Sequence, residues 1–235
     1  MGQSAQMQTA SLRLAASAGL LSMSLVACSS DTDKSGPATG SSSAAAGFGA
    51  APTSAAGIPA EALLQPADVR DAKAEPLATG EFSHVRPLRP CGSARYPSDT
   101  SRASAVAVRF TTAGTEQEST PTVVVEFIGR HQPGGAAEQV SDIKAALKKC
   151  PGGLAEGQRR WTVLESGDDS VVVRIDQKFS YADEEPSTVS HYAAMARVDD
   201  AVVVIADLGW ENLAGSEKLV RDLIIKAEER AAAVR

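Results

Sequence analysis

Alternating apolar and polar residues predict two β-strands in the first half of the folded region. The first strand has apolar side chains at every second position: Val106, Val108 and Phe110. Because successive side chains along a strand point to opposite faces, this strand is expected to be half buried. The second strand, around residues 123–128, is apolar on both faces. We therefore expect it to lie more centrally in a sheet.

Apolar residues at helical spacing predict three helices. A stripe at i, i+3, i+7 and i+10 follows Ala136 and consists of Val140, Ile143, Leu147 and Cys150. Pro151-Gly152-Gly153 ends this helix, since proline and glycine terminate helical patterns. A second helix is expected from Ser216, which suits an N-cap, to near the C-terminus, and a short one over residues 59–64.

Four further strands are predicted between Trp161 and Leu208. Short turns join them, so consecutive strands are expected to pair antiparallel. The last contains Val202-Val203-Val204-Ile205, which is apolar on both faces and typical of a strand inside a sheet. The resulting order, α–ββ–α–ββββ–α, predicts an α+β fold: an antiparallel sheet of about six strands with helices packed mainly on one face.

The N-terminus carries an apolar run that ends at Leu25-Val26-Ala27-Cys28. Its apolar stretch would rise only about 20 Å as a helix, short of the roughly 30 Å hydrocarbon core. Residues 1–27 therefore fit a signal peptide better than a membrane span. Leu-Val-Ala-Cys resembles the lipobox of bacterial lipoproteins, which implies cleavage between Ala27 and Cys28 and lipidation of Cys28. The alternative is an ordinary secretory signal followed by a chance cysteine.

The chain after the predicted signal peptide divides into a tether and one domain. Residues 28–58 are mostly Ser, Ala, Gly, Thr and Pro and are expected to form a disordered tether; residues 59–235 are predicted to form a single α+β domain. Without residues 1–27 the chain has 22 basic and 29 acidic residues, a net charge of −7. Such acidity argues against nucleic-acid binding. The lipid is expected to hold the protein on the outer face of the cytoplasmic membrane.

Cysteine usage agrees with an oxidising compartment. Apart from Cys28, the chain has two cysteines, Cys91 and Cys150, which are most simply explained as a disulfide. The alternative is two buried free thiols. The widely separated cysteines and three scattered histidines show no metal-ligand spacing, so we expect neither a metal nor another cofactor.

The sequence lacks the common catalytic motifs. It contains no Gly-x-Ser-x-Gly elbow, no phosphate-binding glycine loop and no His-Glu-x-x-His. Its three histidines fall on two loops (His84 and His131) and on a strand (His191), where structural roles are the simpler interpretation. We therefore expect a protein that is not an enzyme. The alternatives are an envelope hydrolase with an unrecognised site and a purely structural envelope protein.

One segment concentrates cationic and aromatic side chains in this acidic protein. Residues 82–96 include Phe82 and His84, and four further residues that could receive a carboxylate or phosphate: Arg86, Arg89, Arg95 and Tyr96. These four are the predicted ligand-binding residues. The competing interpretation is that the arginines form salt bridges with the acidic surface.

The pattern over residues 60–235 resembles a known domain. Three features are similar to the extracytoplasmic sensor-like domain of actinobacterial lipoproteins: the opening Leu63-Leu64-Gln65-Pro66-Ala67-Asp68-Val69, the two cysteines and the long meander. That domain is also the extracytoplasmic module of a mycobacterial serine/threonine kinase. The resemblance implies a mixed sheet with flanking helices, a disulfide and a cleft for an unidentified ligand. This chain has one cysteine pair where the kinase domains typically have two. We therefore expect a binding or sensor-like domain whose partner is a small envelope molecule or a protein.

Overall fold

The computed structural model describes residues 54–114, 120–180 and 185–234. The strands are β1 (Lys73–Pro76), β2 (Arg102–Thr111), β3 (Val123–His131), β4 (Arg159–Ser166), β5 (Ser170–Phe179), β6 (Ser187–Val198) and β7 (Ala201–Asp207). The helices are α1 (Gly135–Lys149), α2 (Glu217–Ala231) and three short 3-10 helices, Ala60–Ala62, Pro66–Val69 and Pro97–Ser101. The strands form one antiparallel sheet in the order β1-β2-β3-β7-β6-β5-β4, which confirms the predicted α+β class with an antiparallel sheet.

The described sheet has seven strands rather than about six, because β1 was not predicted. This edge strand pairs with β2 from Lys73↔Thr111 to Pro76↔Val108. Its sequence, Lys-Ala-Glu-Pro, has no apolar alternation, and proline is tolerated in a sheet mainly at an edge. A strand of this kind leaves no hydrophobic pattern to detect.

The strand β7 lies inside the sheet, as its two-sided apolar pattern predicted. After β3, helix α1 carries the chain across to the far edge, and the meander β4–β7 returns until β7 pairs with β3. The register places Val124 opposite Asp207 and Arg130 opposite Ala201. Every residue of β7 is buried.

The two α-helices cover opposite faces of the sheet, so the prediction that helices pack mainly on one face was wrong. On one face, Val203 and Ile205 of β7 pack with α2 and the N-terminal segment. On the other, Val202 and Val204 pack with α1. The physical reason lies in β7 itself, because a strand that is apolar on both faces needs a cover on each.

The folded region begins slightly before the predicted boundary. Ile58, the last residue assigned to the tether, has 0% of its surface exposed and packs in the α2-side core with Leu63 and Leu64. The helix predicted over residues 59–64 is a single 3-10 turn, Ala60–Ala62. The predicted signal peptide and the tether up to residue 53, including Ala27 and Cys28, lie outside the described residues.

The disulfide expected between Cys91 and Cys150 is present, with the two Cα atoms 5.2 Å apart. It ties the long connection between β1 and β2 to the end of α1. The next residues bind β4: Pro151 O accepts a hydrogen bond from Trp161 N at 2.7 Å. Gly152 has a φ of +70°, and a Cβ there would lie 1.9 Å from Arg159 O, so glycine permits this close approach.

Candidate functional site

A cleft of about 250 Å³ opens at one end of the α1-side face. Five neighbouring strands or strand ends supply its floor, in the order Val123, Leu208, His191, Gln177 and Arg159. Helix α1 packs on the same face, but none of its residues lines the cleft. The sheet end therefore carries a row of side chains that reach a solvent-accessible space.

The face changes from apolar to polar where the cleft begins. Trp161 and Ile175 are buried in the α1-side core. Two positions along the same strands, and therefore on the same face, lie Arg159 and Gln177. Polar side chains at positions that continue an apolar face are not required for packing, which makes this end a candidate binding site.

The opposite wall comes from the long connection, through Phe82 and His84. Val85 is fully buried in the α1-side core and anchors this wall. The Arg86 guanidinium donates hydrogen bonds to the carbonyl oxygens of Ala78 at 2.8 Å and Glu81 at 2.7 Å. These contacts brace the connection internally, and the disulfide ties it to the end of α1. We call the space between Phe82, His84, Arg159, Gln177 and His191 the imidazole cleft.

Both histidines of the imidazole cleft have lowered pKa values. Burial, reinforced by the positive charge of Arg159 and by the neighbouring His191, lowers the pKa of His84 to about 3. Burial also lowers the pKa of His191, with Arg159 acting in the same direction and Asp207 against it. Both rings are therefore neutral near pH 7. His191 is only 6% exposed, and its buried Nε2 has no hydrogen-bond partner among the described residues.

Arg159 supplies the positive charge of the imidazole cleft. Its side chain is half-buried, and within the described ranges its buried Nε has no hydrogen-bond partner. Burial lowers the pKa of this guanidinium, and no carboxylate contributes in the opposite direction. Glu211, also a lining residue, is exposed. A cation that is partly desolvated without a matching carboxylate is a strong recognition element for an anion.

A second cleft, of about 220 Å³, lies on the other side of His84 and Arg159. Trp161 lines it, and the rings of His84 and Trp161 meet edge to face with centroids 6.5 Å apart. Arg89 and Gly152 lie on its wall. Because His84 and Arg159 line both spaces, the two clefts are adjacent.

The four predicted ligand residues are not brought together in the imidazole cleft. Arg86 is bonded to backbone carbonyls, as described above. Arg89 pairs with Asp99 at 2.8 Å, and its guanidinium carbon lies 5.0 Å from the centre of the Tyr96 ring. The Tyr96 hydroxyl donates to Leu88 O at 2.7 Å. Arg95 is exposed. Arg89 alone among the four lines a described cleft, the second one.

Other residues of the same predicted segment, Phe82 and His84, do line the imidazole cleft. Sequence reasoning missed Arg159 and Gln177 and gave His191 a structural role. The available signal was the face of the strand: each of the three is a polar residue on a strand face that is otherwise mostly apolar. His131 lies elsewhere, with Nδ1 2.9 Å from the Ser101 hydroxyl.

In the part of the chain that the structure describes, no group of three or more His, Cys, Asp or Glu side chains is placed to hold a metal ion. No helix of that part is both long and apolar enough to cross a membrane. No protein-family model matches the chain, and comparison with curated proteins finds no similar sequence.

Proposed function

We propose that this chain is a lipid-anchored extracytoplasmic protein whose domain binds a small molecule in the imidazole cleft. The observation that carries the proposal is the partly buried polar row at the end of an apolar face. His191 Nε2 and Arg159 Nε are both buried and lack partners among the described residues. Buried polar atoms are normally hydrogen-bonded, and leaving one without a partner is energetically unfavourable. A ligand that forms hydrogen bonds with these two atoms would therefore gain binding free energy.

The compartment rests on two separate features. The Cys91–Cys150 disulfide favours an oxidising environment outside the cytoplasm. The Leu25-Val26-Ala27-Cys28 sequence, with its resemblance to a lipobox, favours a lipid anchor at Cys28. A sensor-like role, in which occupancy of the imidazole cleft is passed to an envelope partner, is consistent with both features.

The proposal is tested by identifying compounds that co-purify with the full chain in a non-ionic detergent. Mass spectrometry should detect a compound bound to the wild type and lost from Gln177→Trp, because the larger side chain fills the imidazole cleft. Lys178→Trp is the matched control, since Lys178 is exposed on the other face of β5. A compound retained equally by both variants would show that binding occurs elsewhere and refute the proposal.

A second candidate function is acid–base catalysis in the same cleft. It is favoured by two neutral imidazoles that are close enough for His191 to affect the pKa of His84, since clustered perturbed histidines are typical of catalytic sites. The distinguishing measurement is incubation of the identified compound with the full chain. Chemical conversion that is lost in both His84→Asn and His191→Asn would favour an enzyme, whereas unchanged recovery of the compound would favour a binding protein.

A further inference from the structure

The charge distribution of the imidazole cleft restricts what it can bind. Among the described lining residues Arg159 is the one side chain that is positively charged near pH 7, because burial keeps His84 and His191 neutral. Glu211, the acidic residue among the lining residues, is exposed. The inner part of the cleft therefore presents one localised positive charge rather than a diffuse basic surface.

Two polar side chains on neighbouring strands line the cleft together with Arg159. Arg159 and Gln177 are directly opposite each other in the β4–β5 register. His191 lies on the next strand, and its partner across β5 is Ile175, two residues from Gln177. Residues displaced diagonally by two positions are roughly 7–8 Å apart at their Cα atoms. A guanidinium, an amide and an imidazole are thus carried by three adjacent strands and line the same cleft.

The remaining lining is apolar. Val123 and Leu208 continue the floor on the side away from Arg159, and Phe82 stands on the opposite wall. Backbone hydrogen bonding fixes this end, since Leu208 N donates to Val123 O at 2.9 Å. The volume, about 250 Å³, is near the lower limit for ligand pockets, which typically measure about 300–1,000 Å³. The arrangement suits a compact molecule with one polar and one apolar end.

We infer that the ligand is a small organic anion, with a carboxylate or phosphate against Arg159 and an apolar body against Phe82, Val123 and Leu208. This inference rests on the proposed binding function and adds the chemical class of the ligand. A guanidinium pairs with either anion in a bidentate manner. Gln177 and His191 Nε2 supply the further polar contacts at that end.

The inference is tested by calorimetric titration of the full chain with three probes of similar size: phenylacetate, phenyl phosphate and the neutral phenylacetamide. At least one anion should bind more tightly than the amide, and the comparison of the two anions identifies the preferred group. Arg159→Gln should weaken that anion about tenfold or more, the usual effect of losing a charge-assisted hydrogen bond. Its affinity for phenylacetamide should change little.

Two further variants act as controls. Arg159→Lys keeps the charge and should retain more anion affinity than Arg159→Gln. Arg95→Gln, which removes an exposed arginine that does not line the imidazole cleft, should bind as the wild type does. Thermal melting of each variant verifies that it is folded.

Equal affinity for phenylacetamide and the anions would overturn the inference while leaving small-molecule binding in place. Unchanged anion affinity in Arg159→Gln would also overturn the inference without affecting the proposal of small-molecule binding. If none of the three probes binds, the inference is overturned, and the co-purification experiment then decides the proposed function independently.

Discussion

The replacement Glu126→Gln should remove a large pH dependence of stability. Glu126 lies on β3 with 0% of its surface exposed, and both carboxyl oxygens are within hydrogen-bond distance of Leu64 N, at 2.9 and 3.1 Å. Burial raises the pKa of Glu126 from 4.5 to about 8, while the bond from Leu64 and the charge of Arg230 oppose the rise and Asp68 reinforces it. Between these two pKa values, the carboxyl of Glu126 is therefore protonated in the native state and ionised in the unfolded chain.

The sign and size follow from this difference in proton binding. Between pH 4.5 and about 8 the wild type should lose about 1.4 kcal/mol of unfolding free energy per pH unit through this group, up to about 5 kcal/mol in total. The histidines act in the opposite direction, because their lowered pKa values make neutral rings favourable in the native state; their contribution is complete by about pH 7. The range above pH 7 therefore isolates Glu126.

Urea unfolding followed by circular dichroism, at about pH 5.5, 7 and 9, measures the effect. Glu126→Gln, which mimics the protonated carboxyl, should be more stable than the wild type by about 1 kcal/mol at the lowest pH and by several times that at the highest. Glu61→Gln is the matched control, an exposed carboxyl in the same N-terminal segment, and should follow the wild type throughout. Parallel pH profiles for Glu126→Gln and wild type would refute the reasoning.

Three other predictions concern the anchor, the disulfide and a buried carboxylate. Labelled palmitate should enter the wild type and not Cys28→Ala; equal labelling would contradict the anchor. Replacing Cys91 and Cys150 together by serine should lower the unfolding free energy by about 4 kcal/mol, the chain-entropy value for a closed loop of this length, as measured by urea unfolding; an unchanged midpoint would contradict it. Asp176, 2% exposed and bonded to Ser190 and Arg160, has a lowered pKa because these contacts outweigh burial. Its contribution is present above pH 3.8 and lost below it, so Asp176→Asn should cost about 2 kcal/mol at neutral pH and flatten the acid limb of the unfolding profile; an unchanged acid limb would count against it.

The strands that pack strongly were predictable from sequence, and weakly patterned segments were not. The alternation in β2 and the two-sided apolar run in β7 result directly from burial, which the sheet confirms. β1 has neither, because an edge strand with one buried side chain needs no such pattern. Because β7 is apolar on both faces, each face of the sheet has to be covered by a helix. This consequence could have been drawn from the sequence.

The candidate site was harder to predict because its register depends on an irregularity. Counting back from the turn after Ser166, which pairs with Val171, would place Arg159 opposite Lys178. A bulge between Val163 and Glu165 shifts the ladder by one residue, so that Arg159 pairs with Gln177 instead. A shift of one residue moves a whole strand segment to the other face. The position of the Phe82–His84 wall depends equally on tertiary contacts, since that connection has no periodic pattern.

The three histidines offer the most direct test of the claim that the imidazole cleft binds a small molecule. His84 and His191 line it, whereas His131 lines a separate space near the turn between β6 and β7. Histidine-selective NMR, during titration of the full chain with the co-purified compound, should show the imidazole signals of His84 and His191 moving together while those of His131 stay in place. A saturable shift of His131 alone, or binding that moves neither cleft histidine, would contradict the account.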